Sequence, residues 1–136
     1  MKIEPILQES FYGEGRGPEL NRVHFIGSAR RILRAIDYFN ADDEFSNRNL
    51  WHLVFVRPQV FMFTPEEAYN HATSPVRWGE IPRVWAVVLR NSSWFQSFSS
   101  QHLGKCQHYQ FMFYDEYLDV ICEGIETRLG GYSKQE

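Results

Sequence analysis

The sequence predicts an α+β fold, an antiparallel sheet of about five strands with two or three short helices packed on or around it. Three observations carry that reading. Period-two alternation runs through 108–123 on both sides of a short polar break, the pattern of a β-hairpin. Two further apolar runs, 50–56 and 83–89, are rich in the β-branched and aromatic residues that pleated sheets favour. A helical period at 29–39, with helix-start signals at 64–67 and 91–93, supplies the α component.

Taken in order, Phe11-Tyr12-Gly13-Glu14-Gly15-Arg16-Gly17-Pro18 gives no element a place to propagate, so about 11–19 reads as a flexible glycine-rich segment. Ala29, Ile32, Leu33, Ile36 and Phe39 then fall within an arc of about 120° at the helical repeat, opposite Arg30, Arg31, Arg34 and Asp37. With Ser28 as N-cap this predicts a helix over roughly 29–39. A strand stays open there, because Ile32, Arg34, Ile36 and Tyr38 also alternate. After a polar connection, Leu50-Trp51-His52-Leu53-Val54-Phe55-Val56 reads as a central strand. Pro58 cannot donate to a ladder, so the chain breaks at 57–59 and resumes as a short strand at 60–63. Thr64 as cap, Pro65 at the first helical position and Glu67 at the capping-box position predict a short helix to about Ala72.

The long loop 73–82 sets Arg77 beside Trp78 and leads into a strand at 83–89. Asn91-Ser92-Ser93 can cap a brief helix with Trp94 and Phe98 one turn apart. The final hairpin, closed on a four-residue turn from Tyr114 to Tyr117, places Phe113 opposite Leu118, Phe111 opposite Val120 and Tyr109 opposite Cys122 on an apolar face. Its mixed face pairs Met112 with Asp119, Gln110 with Ile121 and His108 with Glu123. Gly130-Gly131 and the polar residues after them suit a frayed tail over about 127–136.

The 136 residues fit a single domain, 1–136, which can bury roughly two thirds of its unfolded surface without a disulfide or metal staple. Aromatics make up 16% of the chain, favouring strands and large contact surfaces. A net charge of −3 disfavours a nucleic-acid partner bound by broad phosphate neutralisation, and leaves Arg30, Arg31 and Arg34 as a local basic face. The start lacks an apolar signal core, and no apolar run approaches the roughly 18 residues of a membrane span, so a cytoplasmic protein without a membrane partner is expected. Cys106 and Cys122 are too few for a disulfide framework and read as reduced, mostly buried thiols.

His102, Cys106, His108 and Cys122 offer zinc-type ligands, but their spacing matches no zinc motif, and neither a metal nor another cofactor is expected. Asp115 and Glu116 occupy a turn, while Asp119 and Glu123 alternate on the hairpin's polar face, so no catalytic residue is assigned. Gly13-Glu14-Gly15-Arg16-Gly17 lacks the preceding strand and closing Lys-Ser or Lys-Thr of a phosphate loop. The more specific constellation is His108 opposite Glu123, since a carboxylate beside an imidazole favours its protonated form. With His52 these residues form a candidate polar pocket. Arg30, Arg31, Arg34, Arg77, Trp78 and Trp94 form a candidate interaction set, because Arg and Trp dominate binding hot spots.

The segments Asn91-Ser92-Ser93-Trp94-Phe95 and His108-Tyr109 through Asp119-Val120 resemble a pattern in a group of small uncharacterised bacterial proteins, an Asn-Ser-x-Trp turn followed by a His-Tyr and Asp-Val closing hairpin. The resemblance covers the last third of the chain. It implies a β-rich architecture and a bacterial source, and it transfers no activity or site. The leading expectation is a non-enzymatic protein-interaction domain of accessory, regulatory or immunity type, with another protein as partner and a homodimer open through exposed edge strands. The alternative is a small-ligand binder or minor enzyme with an aromatic-lined pocket.

Overall fold

In a computed structural model, residues 2–7, 18–27, 32–39, 50–81, 83–98 and 101–129 are described. Their nine strands form two antiparallel sheets. One has β1 (Lys2–Pro5), β6 (Ala86–Arg90), β7 (Gln107–Met112), β8 (Glu116–Cys122) and β5 (Val60–Pro65) in that order. The other has β2 (Glu19–Gly27), β3 (Ile32–Phe39), β4 (Trp51–Val56) and β9 (Gly124–Leu129).

The expected α+β class is therefore overturned: the protein is mainly β. The segment predicted as a helix over 29–39 contains β3, hydrogen-bonded between β2 and β4. Ala35, Ile36, Asp37 and Tyr38 are all buried, which leaves no solvent face for an amphipathic helix. The helix expected from Thr64 to Ala72 shrinks to one 3₁₀ turn, Glu66–Ala68, whose cap position is Pro65 and has no side-chain cap bond. The cap at 91–93 is present, where Ser92 Oγ accepts the Phe95 N–H at 3.1 Å and starts α1 (Ser93–Gln96). Among the described residues no helix is long and apolar enough to cross a membrane.

The sheets pack face to face. Ile36, Tyr38, Leu53 and Phe55 from the four-stranded sheet meet Trp85, Phe111, Phe113, Leu118 and Val120. Ring centroids lie 4.8 Å apart for Tyr38 and Trp85 and 5.7 Å apart for Phe55 and Phe111, so much of the aromatic excess is core. The sheets also share a corner. β4 runs into β5 and β8 into β9, and the two bent strands pair along their length as one ribbon that passes from sheet to sheet. Between the pairs Val56 with Gly124 and Val60 with Ile121, residues 57–59 oppose only 122–123, a bulge at which Arg57 takes φ 50°. Glu123 N–H to Val56 O, 2.9 Å, and Gln59 N–H to Ile121 O, 2.8 Å, close it.

The final hairpin keeps its predicted faces and changes its register. Phe113 N–H donates to Glu116 O at 2.8 Å, so the turn is Tyr114-Asp115, two residues instead of four. Gln110 then stands opposite Asp119, Phe111 opposite Leu118 and His108 opposite Ile121. Each partner moves by two positions, which preserves every side chain's face. The outer face of the five-stranded sheet is covered by the connections on either side of β6. Val76, Trp78 and Val84 pack with Val87, Leu89 and Tyr117, while Leu103, Cys106, Trp94 and Phe95 gather around Ile121.

Burial has a measurable alkaline consequence. Cys122 and Tyr117 are 0% and 3% exposed, and desolvation, their largest influence, pushes each group up to about 12 from 9.0 and 10.0. Above pH 9.0 for the thiol and 10.0 for the phenol the unfolded chain releases these protons while the folded protein retains them, so stability falls as pH rises toward 12. For Cys122 the loss is about 1.4 kcal/mol for each pH unit in that window. Urea midpoints at pH 8 and pH 11 should therefore diverge. Cys122→Ala with Tyr117→Phe should bring them closer, and an unchanged divergence would assign the effect elsewhere.

Candidate functional site

Strand alternation turns His108, Gln110, Asp119 and Met62 outward from the core, onto the covered face of the five-stranded sheet. The two coverings leave a cleft of about 260 Å³ between them. Met62, Tyr69 and Trp94 contribute apolar surface, and Asn70, Thr73 and Ser93 contribute polar groups. None of the described lining residues is Lys or Arg.

The floor is a hydrogen-bonded chain of side chains. Ser92 Oγ lies 2.7 Å from His108 Nδ1, and His108 Nε2 lies 2.7 Å from Asp119 Oδ1. Gln110 Nε2 donates to the same Asp119 oxygen at 2.9 Å. Gln110 Oε1 accepts from Trp78 Nε1–H at 2.9 Å and from the Tyr69 hydroxyl at 3.2 Å. The Tyr69 hydroxyl also contacts Ser74 Oγ, which donates to Val76 O at 3.0 Å. Ser92, His108, Gln110 and Asp119 are 1%, 3%, 5% and 7% exposed. Such polar groups persist in a desolvated position because each has a partner. The chain also ties the two coverings together, from Tyr69 and Trp78 on one to Ser92 on the other.

An ionised Asp119 only accepts, so both bonds at Oδ1 need donors, the His108 Nε2–H and the Gln110 amide. In a neutral imidazole this fixes the proton on Nε2 and leaves Nδ1 to accept from the Ser92 hydroxyl. Ser92 Oγ meanwhile accepts the Phe95 N–H at 3.1 Å. The arrangement can orient a hydroxyl and receive its proton.

Of the expected polar pocket, only His108 stands here. His52 is buried on the other sheet, in a row across its strands with Arg22, Asp37 and Arg128. Glu123 sits at the corner, where Arg57 Nη1 approaches its Oε2 at 3.4 Å. Of the candidate interaction set, Trp78 is buried beneath the cleft, and Trp94 is half-buried with its ring 4.6 Å from that of His108. Arg77 is exposed and directs Nη1 to His71 O at 3.5 Å. Arg34 lies on β3, opposite Phe25 and Phe55. Arg30 and Arg31 fall outside the described residues, as do 11–17 of the glycine-rich segment and 130–136 of the tail.

In the sequence Ser92 reads as a cap, Asp119 reads more readily as a solvated residue than as a general acid or base, and Gln110 has no assigned role. The signal that finds them is the pair of polar residues at alternate positions of one strand, His108 and Gln110, facing an acid on the next. Among the described residues no group of three or more His, Cys, Asp or Glu side chains is arranged to hold a metal ion. Both cysteines are free and buried. In comparisons with known proteins, no family model, curated protein or solved structure matches the chain.

Proposed function

We propose that the protein binds a small, neutral molecule of mixed polarity in the cleft between the two coverings of the five-stranded sheet. The observation that carries this reading is the combination of a fully partnered polar floor with apolar walls from Met62, Tyr69 and Trp94. Ligand sites have this composition, mostly apolar with a few placed polar groups. An anionic ligand finds no Lys or Arg among the described lining residues, and the Asp119 carboxylate already has two donors. A volume of about 260 Å³ suits a compact molecule. A protein-partner surface built on Trp78 has less support, since that residue is 5% exposed. Two of the large exposed apolar groups belong to the cleft's surroundings: Met62 lines it, and Phe98 packs edge-on against Trp94 at 5.3 Å. A cytoplasmic location accords with the two free thiols.

Saturation-transfer NMR with a panel of neutral aromatic amides and alcohols tests the proposal. Members of the panel should bind the native protein and lose binding to Thr73→Trp, in which an exposed residue at the cleft becomes a ring large enough to fill it. An absence of binders, or binders indifferent to that substitution, would reject the cleft as the site.

A further inference from the structure

We infer that Ser92 is a nucleophile activated by His108, with Asp119 as the positioning residue, and that the cleft acts on small neutral esters or comparably activated acyl compounds. This rests on the cleft admitting a small neutral molecule, as proposed above.

Three linked features of the geometry bear on the Ser92 oxygen. His108 Nδ1 is 2.7 Å away, within reach of its proton. The opposite ring nitrogen is held at 2.7 Å by Asp119, which selects the tautomer able to take that proton and favours the imidazolium that results. Asp119 is in turn fixed by Gln110, itself fixed by Trp78 and Tyr69, so the acceptor has little freedom to turn away. The ring nitrogens are exchanged relative to the usual serine relay, but the roles are defined by geometry and survive the exchange. One Ser92 lone pair accepts the Phe95 N–H, and a second remains on the oxygen for attack. A capping serine needs only the bond to Phe95. The imidazole, the buried carboxylate and the adjoining cleft exceed what capping requires.

In the step inferred, the Oγ–C bond forms as the carbonyl π pair moves onto its oxygen, and the hydroxyl proton passes to His108 Nδ1. Collapse of the tetrahedral species breaks the bond to the leaving group, which takes the proton from Nδ1. Water then attacks the acyl-serine by the same proton route, releasing the acid and restoring Ser92. Among the lining residues the Asn70 amide, whose Oδ1 is occupied by the Ala72 N–H at 3.0 Å, and the Ser93 hydroxyl are groups able to donate to the transient oxyanion.

At 1% exposure Ser92 is shut off at rest, with the Trp94 ring lying against His108. Trp94 lines the cleft beside that imidazole, and its removal is expected to widen access and increase the reaction rate.

The test is intact-mass and peptide mapping after treatment with an alkyl fluorophosphonate, which transfers its phosphonyl group to an activated serine and releases fluoride. A single adduct at Ser92 is expected, absent from Ser92→Ala and formed faster on Trp94→Ala. Asp119→Asn should slow it by about 100-fold, the low end of general-base contributions. Failure of both the native protein and Trp94→Ala to label while each retains its native near-ultraviolet dichroism would overturn the inference. So would labelling at another residue, or an undiminished rate in folded Asp119→Asn. Binding of the neutral panel separates the two proposals: binders without Ser92 labelling leave the ligand site standing and remove the nucleophile, whereas loss of both removes the site.

Discussion

Replacing Asp119 with alanine is expected to lower the unfolding free energy by about 3–5 kcal/mol, a large share of the roughly 5–15 kcal/mol that holds a typical domain. The substitution deletes little apolar volume. Its cost comes from the donors left behind, the ring N–H of His108 and the side-chain amide of Gln110, both nearly inaccessible to water. An unsatisfied buried donor costs about 1–3 kcal/mol, and two are created at once. Asp119→Asn retains an acceptor at the same place and should cost less than half as much. Urea unfolding of the two variants checks the difference. If alanine and asparagine destabilise equally, the carboxylate's contribution is something other than accepting these two bonds.

Trp85→Ala should be at least as damaging, at about 3–5 kcal/mol. Trp85 is fully buried where the two sheets meet, with its ring 4.8 Å from Tyr38, 5.7 Å from Phe111 and 5.6 Å from Phe113. Its indole N–H donates to Leu7 O at 3.2 Å and so pins the chain just after β1. Alanine opens a cavity bordered by three aromatic rings that cannot all collapse into it, and it also releases that anchor. Trp85→Phe keeps most of the packing and loses the anchor, so comparison of the two separates cavity from hydrogen bond. A loss below about 1 kcal/mol for the alanine variant would contradict the central position of this side chain.

The features that follow local rules were the ones legible in the sequence. The strands at 50–56 and 60–63, the break at Pro58 and the cap at Ser92 all appear near their expected positions. The hairpin's two faces were also legible, because alternation at period two survives any even slip of register. The turn length was not: one polar tetrapeptide accommodates a two-residue or a four-residue closure, and only the former brings Gln110 opposite Asp119. The four-residue closure is also what sets His108 opposite Glu123, where the structure has Ile121. The two-sheet architecture was hidden for another reason. Residues 32–39 satisfy both a helical and a strand period, and the choice is made by β2 and β4, whose pairing no local window contains. The strands 2–5 and 19–27 lack strong local signals and are defined by partners elsewhere in the chain, Arg90 for Lys2 and Phe39 for Glu19.

The shared corner also sets a condition on biosynthesis. β4 waits for β9, with Trp51 paired to Leu129, and β5 waits for β8, with Val60 paired to Ile121. During vectorial synthesis the hairpin of β2 and β3 can form early, but the inner surfaces of both sheets remain open until the ribbon's second strand has emerged from the ribosome. The nascent polypeptide therefore carries Phe55, Phe61 and Trp85 without their final neighbours until β8 and β9 follow, the interval in which such surfaces attract chaperones or one another.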